Sequence, residues 1–396
     1  MAETIAKDGT YLFRRDSSFM SSADSVDAPS AAVQAMSQEW GLVDDLCGGT
    51  KCMRAAGKKW LPQRVRELDA FYERRLSGSF LYEALSDTVD SVAQKPFSKA
   101  TSPTGEMPEE IVALWQDITG DGVSMTSFGK SMLESAAKYG LSHVLVDYPP
   151  TIGTDAESGE EVDLVPSYAP ILAGEVRPYF VLIEAPAVLG WQWVREGGKI
   201  VLDEIRWKEC VTKQVGTFGE QIVERIRVYT RSDWRVYEKG GEKEGWVIVE
   251  QGINSLGKVP LVTFYTARTN YMTAKPPFMD LAWLNLRHWQ SSSMQTNILD
   301  IARVPILEKV GYSDSENDES KTISANVAFI SHNTDAHARW VEIGGASIAA
   351  GERDLQSLRE QMEIQGLQPW LQRLSGAPAT GIASNDSKMV CQVQAW

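Results

Sequence analysis

Two helix-period apolar patterns near the C-terminal end, with a short strand-like excursion between them, limit this chain more than any other feature. The first runs over about residues 276–303 and is cut by Val304-Pro305, because proline lacks the amide a helix needs and disfavours helical backbone in its predecessor. The second returns over about residues 352–373. On the first, Met279, Trp283, Leu286, Trp289 or Gln290, Met294, Ile298 and Ile301 fall near one face. About 26 residues at 1.5 Å each predict a rod of roughly 39 Å. On the second, Leu355, Leu358, Met362, Leu367 and Trp370 form a matching stripe. Residues 306–310, 326–330 and 339–343 between them read as strands. A unit of helix, small β insert and helix suits a channel wall or a packed hairpin better than an enzyme cleft.

With 396 residues, 43% hydrophobic and 23% charged, the chain can build two or more cores and has the balance of a globular protein. No stretch approaches the roughly 18 apolar residues needed to span a bilayer, and the first ten residues lack a signal-peptide core, so no membrane role and an intracellular site of folding are expected. Cys47, Cys52, Cys210 and Cys391 have neither CxxC spacing nor nearby histidines, so reduced thiols are expected and no metal. A net charge of −14 argues against gripping nucleic acid through a broad basic face. It is compatible with surrounding DNA without holding it, since a like-charged wall leaves a duplex free to slide.

Residues 1–35 are rich in Ser, Ala and Asp and read as a flexible arm, apart from Tyr11, Leu12 and Phe13. Helical spacing over residues 61–92, with Leu81, Leu85, Val89 and Val92 as one stripe, predicts a core helix pair closed by Pro96. A short helix is expected over 111–118. Another carries Phe128, Met132, Ala136 and Tyr139 and ends on Gly140, a suitable residue just past a helix. Residues 144–148 read as a buried strand stopped by Pro149-Pro150. Short β runs between about 180 and 265, separated by turn clusters such as Arg231-Ser232-Asp233 and Lys239-Gly240-Gly241, predict an antiparallel meander. The acidic stretch around Asp314, Glu316, Asp318 and Glu319 reads as a solvated loop.

The chain is poor in recognisable chemistry. Gly122 to Gly129-Lys130-Ser131 ends like a phosphate-binding loop, but six residues separate the glycines where four are needed, and no apolar strand precedes it. His143, His288, His332 and His337 have no Ser or Cys at a catalytic spacing, and His143 beside an apolar strand reads as a satisfied core residue. Asp147 could be a carboxylate at a strand end, although Pro149-Pro150 favours a cap or turn. Asp117 and Asp121 lack the ligand ladder of a calcium loop. Of the thirteen tryptophans, Trp191, Trp193, Trp207, Trp234 and Trp246 fall in β runs, where sheet packing is favoured over ligand stacking.

Four groups of residues, taken in order, carry a family resemblance. They are Tyr72-Glu73-Arg74-Arg75-Leu76 with Phe80-Leu81-Tyr82 and Thr88-Val89; Gly140-Leu141-Ser142-His143-Val144-Leu145-Val146-Asp147-Tyr148-Pro149; Arg177-Pro178-Tyr179-Phe180 with Leu189-Gly190-Trp191; and Leu256-Gly257-Lys258-Val259-Pro260. In this order and spacing the chain resembles, over about residues 36–373, a tailed-bacteriophage family regarded as portal-like and catalogued as a domain of unknown function. The resemblance implies an α+β portal-like fold and a dodecameric ring of about twelve copies at a capsid vertex of the virion, assembled in the host cytoplasm. Double-stranded DNA would be packaged and ejected through this head-tail connector without sequence recognition. The terminase large subunit, head-completion or adaptor proteins, and the major capsid and scaffolding proteins would be its partners, with no cofactor.

By the same resemblance, residues 1–35 are a flexible arm and 36–275 the wing, helices first and then the β meander. Residues 276–302 and 352–372 would be two stem helices, 303–351 the clip, and 373–396 the start of a tunnel loop with a truncated C-terminal segment. Portal-like chains continue beyond this point with a further wing helix. Ser375, Gly376, Thr380, Gly381, Ser384 and Asn385 would face DNA. Trp283, Leu286, Trp289, Met294, Ile298, Leu355, Leu358 and Met362 would pack the stem between subunits, and Asp314, Glu316, Asp318 and Glu319 would meet terminase. Two further readings stay open: a non-catalytic virion structural or adaptor protein whose two helices form an ordinary hairpin, and an enzyme acting at Asp147, for which the chain offers no nucleophile or base.

Overall fold

The computed structural model describes residues 25–106, 108–149, 152–154, 161–163, 177–240, 245–303, 306–311, 333–341 and 345–366. They make an α+β chain. Its helices are α1 (Ala31–Cys47), α2 (Gly49–Ala56), α3 (Asp69–Gly78), α4 (Ala84–Gln94), α5 (Glu109–Leu114), α6 (Met125–Tyr139), α7 (Met279–Ala302) and α8 (Gly345–Gln365). Its strands are β1 (Leu141–Asp147), β2 (Ile152–Thr154), β3 (Glu161–Asp163), β4 (Tyr179–Glu184), β5 (Val188–Glu196), β6 (Lys199–Val215), β7 (Gly219–Thr230), β8 (Asp233–Lys239), β9 (Trp246–Ile253), β10 (Leu261–Tyr265), β11 (Arg268–Asn270), β12 (Thr273–Ala274), β13 (Ile306–Val310) and β14 (His337–Val341). Two compact units result. The described part of the first comprises residues 25–44 and 87–279; the second comprises 45–86 and, in its described part, 280–366.

In the first unit the expected meander is a five-stranded antiparallel sheet, β5-β6-β7-β8-β9. A second antiparallel sheet runs β10-β1-β4, with β1 in the centre, so the apolar run Leu141 to Leu145 is buried. The two sheets share a core. Leu141, Leu145 and Ile183 cluster with Ile205, Trp207, Trp40 of α1 and Tyr139 of α6, and Trp191 and Trp234 pack at its edge. Trp246 packs against Leu189, Ile226 and Val228, whereas Trp193 is exposed.

Local signals at both ends of α6 act as the residues predict. Ser124 Oγ accepts from the Ser127 amide at its start. At its end Gly140 takes φ +90°, donates its amide to Ala136 and accepts from the Thr266 amide, turning the chain directly into β1. A Cβ here would lie 2.2 Å from the Lys275 carbonyl oxygen, so only glycine fits. Gly129-Lys130-Ser131 lies inside this helix, where a Cβ on Gly129 would meet the Phe97 ring at 2.8 Å. These amides belong to a packed helix and not to a phosphate-binding loop.

The second unit gathers two stretches that are far apart in the chain. Residues 36–275 do not form one body, because 45–86 join the residues that follow 280. Directional bonds hold them there. Asn285 of α7 accepts from the Leu85 amide at 3.1 Å and donates to the Tyr82 carbonyl at 2.7 Å, and Gln290 donates to the Trp60 carbonyl at 2.9 Å. Leu81, Leu85, Val89 and Val92 are buried as their stripe predicts, but residues 61–68 are a loop and only α3 and α4 are helical.

The expected first long helix is α7. The second, α8, begins at Gly345, seven residues before the predicted start, and its interior Gly351 packs closely against α7. Gln295 of α7 donates to the Ile348 carbonyl at 3.0 Å, and a Cβ on Gly351 would come within 2.0 Å of the Gln295 side-chain oxygen. β13 and β14 pair antiparallel where strands are expected near 306–310 and 339–343; the candidate at 326–330 lies outside the described residues. Among the described residues no helix is long and apolar enough to cross a membrane.

Candidate functional site

The strand end at Asp147 gathers ionisable groups from four strands of the first unit. Asp147 Oδ2 accepts from the Tyr179 hydroxyl and from Arg227, each at 3.2 Å, and Oδ1 accepts from the Tyr148 amide at 2.9 Å. Arg227 also binds Glu209 at 3.2 Å and lies 6.0 Å from the Trp234 ring centre. β1 supplies the aspartate, β4 the tyrosine, β6 the glutamate and β7 the arginine, so the cluster clasps the two sheets together. Burial, then the negative charge of Asp147, pushes the Tyr179 phenol up to about 12. Burial first, and then the same carboxylate, raises that of Tyr229.

This arrangement does not make a catalytic pair. His143 lies four residues from Asp147 on β1, about 13 Å along the strand. Its Nδ1 is hydrogen-bonded to Thr263 Oγ1 at 3.0 Å, and burial drives its pKa down to about 3, so it stays neutral. Asp117 closes a turn: its Oδ1 accepts from the amides of Gly120 and Gly122, and its Oδ2 pairs with Arg177 at 2.6 Å. These bonds and the Arg177 charge lower its pKa. Among the described residues no group of three or more His, Cys, Asp or Glu is placed to hold a metal ion.

The second unit has the more informative surface. Along α7, the helix face carrying Leu281, Ala282, Asn285, Leu286, His288, Trp289, Ser293 and Gln295 is buried. The opposite face carries Trp283, Arg287 and Met294, all exposed, and half-buried Ile298. The buried face thus mixes apolar with polar side chains, while the outward face leaves two large apolar groups, Trp283 and Met294, in water beside Arg287. The buried polar side chains have specific partners. Arg359 of α8 donates to His288 Nε2 at 3.4 Å and lies 5.5 Å from the Tyr82 ring, which is itself 5.5 Å from the His288 ring. Burial, then the Arg359 charge, holds His288 down at about 4. Ser291 donates to Asp354 at 2.6 Å.

Of the eight residues expected to pack between subunits, Leu286, Trp289, Leu358 and Met362 are buried within the chain itself. They are core, because α7 and α8 already close on one another through Ser291, Gln295 and His288. Trp283 and Met294 are exposed, at 52% and 44%, and Ile298 and Leu355 are half-buried. Ser375, Gly376, Thr380, Gly381, Ser384 and Asn385 lie outside the described residues, as do Asp314, Glu316, Asp318 and Glu319.

Compared with known families, residues 277–391 match a domain of unknown function, DUF4055, which covers less than a third of the chain. The matched stretch begins two residues before α7 and includes α8. Comparison with curated proteins finds no match.

Proposed function

We propose that this chain is a portal-type subunit, a non-catalytic component of a ring at a phage capsid vertex through which double-stranded DNA passes. The observation that carries the reading is the pair of large apolar side chains, Trp283 and Met294, exposed on the outward face of α7. Its 24 residues make a rod of about 36 Å. It exposes Trp283 and Met294 while its other face is fixed within its own unit by hydrogen bonds, which leaves the outward face for a neighbouring copy. Repetition of one heterologous contact about an axis closes a ring. A net charge of −14 suits a wall that repels phosphate and lets a duplex slide. The ordered motifs that resemble portal-like proteins support the same assignment, together with the partners it brings: terminase, head-completion proteins, and capsid and scaffolding proteins.

Mass measurement on the eluted chain and negative-stain imaging test it. A ring of about twelve copies has a mass on the order of 500 kDa. A species that stays at 43.9 kDa at every concentration refutes it. The closure of α7 on α8 within one chain favours a second reading, a monomeric virion structural or adaptor protein in which the pair is a finished hairpin. The monomeric result supports that reading.

A further inference from the structure

The loop over residues 62–68 and the first turn of α3 form a rigid apolar projection. Val65, Leu68 and Phe71 are 94%, 65% and 61% exposed within seven residues. Such groups on a floppy loop would fold back, but here the backbone is tied down from beneath. Arg75 is buried in α3 and grips Glu67 with two parallel bonds of 2.8 Å. It also donates to the Pro62 carbonyl at 3.0 Å. Glu67 in turn accepts from the Arg64 amide at 2.9 Å, and Gln63 donates to the Glu67 carbonyl at 2.8 Å. Arg66 is forced to φ +69°, left-handed backbone that an arginine adopts only under constraint. The loop is thus set in one conformation with its apolar side chains outward, which removes the ordering entropy from any binding step.

Charge identifies the occupant. Residues 51–75 hold eight Lys and Arg against three acids, a net of +5 in a chain whose total is −14. Arg64, Arg66 and Arg74 are exposed around the apolar tip. The remaining residues of the same chain net −19, so a second copy offers acidic side chains to the arginine rim. The three apolar side chains present roughly 400 Å², about half of what one partner contributes to a standard interface, and the arginine rim can supply the remainder. A phosphate backbone would use the arginines but has no need of Val65, Leu68 and Phe71.

We infer that the 62–71 projection is a preformed docking element that packs against a second copy of this chain, its apolar side chains buried in the contact and its arginine rim paired with that copy's acidic side chains. This rests on the self-association required by the ring reading, and not on the conduction of DNA.

The test uses the full-length chain, followed by light scattering over a concentration series, with the variants L68D/F71D and R64E/R66E. All four side chains are exposed and the Arg75–Glu67 clasp is untouched, so unchanged circular-dichroism melts are expected. The apolar variant should raise the concentration needed for assembly about a hundredfold. The charge-reversed variant should raise it about tenfold at low salt, with the difference shrinking at high salt. If both variants assemble like the parent chain, the docking element is overturned while the ring reading stands. A parent chain that never associates overturns both. Normal assembly of R64E/R66E with loss of binding to a short random duplex assigns the loop to DNA and also overturns the inference. Should L68D/F71D alter the melt, R64E/R66E and its salt dependence decide alone.

Discussion

Glu67→Gln isolates the clasp beneath the 62–71 projection. The wild-type carboxylate accepts both fork bonds of Arg75, whose side chain is only 2% exposed against 10% for Glu67. Glutamine keeps the shape and one acceptor oxygen but removes the charge, leaving a buried guanidinium with half its pairing. Breaking such a pair from one side costs about 3–5 kcal/mol, and the retained acceptor brings this to about 2–3 kcal/mol. The ionisation argues for the same size. The bonds from Arg75, followed by the Arg64 amide, hold Glu67 at about 2 instead of 4.5. That difference corresponds to about 3 kcal/mol, reduced to about 2 kcal/mol by water at the loop's open edge. Because the folded pKa is depressed, this stability is fully present above pH 4.5 and is lost as pH falls from 4.5 toward 2. Denaturant melts of the parent and Glu67→Gln chains from pH 7 to 2.5 should therefore differ by about 2–3 kcal/mol at pH 7 and converge at the acid end. Hydrogen exchange should show the Arg64 amide losing protection in the variant, since its acceptor is Glu67 Oε2. A variant within about 0.5 kcal/mol of the parent at pH 7, with the Arg64 amide still protected, would refute the claim that this pair organises the loop.

Three more perturbations test the frame. Gly140→Ala should destabilise the first unit by at least about 3 kcal/mol, because a left-handed alanine costs about 1–2 kcal/mol and its Cβ must also displace the Lys275 carbonyl, which a thermal melt will register. Asn285→Leu keeps the volume but strands the Leu85 amide, and should cost about 2–3 kcal/mol in denaturant unfolding of the second unit. His143 is held neutral down to about pH 3, so its ring resonances should not titrate between pH 7 and 4 by NMR. Above pH 6.5 it is neutral folded or unfolded; as pH falls from 6.5 to 3 only the unfolded chain takes up the proton, so its contribution to stability declines across that window.

What could be read from the residues was local or periodic. The meander is legible because Ile226 and Val228 alternate with arginines between turn clusters, and the end of α6 because Gly140 follows an apolar stripe and precedes a β run. The path of residues 45–86 was not legible, since it depends on Asn285 reaching Tyr82 and Leu85 some two hundred residues away, and no periodicity encodes that. The apolar stripe that marks α8 begins only at Leu355, so the helical turns from Gly345 onward, where Gly351 admits the Gln295 side chain, are not legible from it. Helical spacing over residues 61–92 does not separate the 61–68 loop from the helices that follow it. The loop's signal was the run of basic residues in an otherwise acidic chain. Of the assembly residues, Trp283 and Leu286 carry the same apolar signature, and only the tertiary structure separates the exposed one from the buried one.

That separation gives α7 its sharpest test. Periodicity says that a helix has an apolar face, but it does not say which face is buried, and here Asn285, Gln290 and Gln295 fix the rotation by hydrogen bonds that an apolar contact could not specify. Trp283 and Trp289 lie six positions apart and should therefore respond oppositely. Trp289 is 0% exposed, so Trp289→Ala should cost about 3–5 kcal/mol of folding stability. Trp283, with half its surface in water, should cost only about 1 kcal/mol on the same substitution, because roughly half of its apolar area was never removed from solvent. If the outward face serves assembly, Trp283→Ala should nevertheless weaken self-association more than any substitution that leaves the melt unchanged elsewhere on α7, as aromatic anchors dominate such contacts. The exposed Arg287→Ala on the same helix is the control. Equal losses of folding stability for the two tryptophans would mean that Trp283 is held inside the monomer. Equal assembly for Trp283→Ala, Arg287→Ala and the parent chain would mean that the outward face meets no neighbour, and the ring reading would lose the observation that carries it.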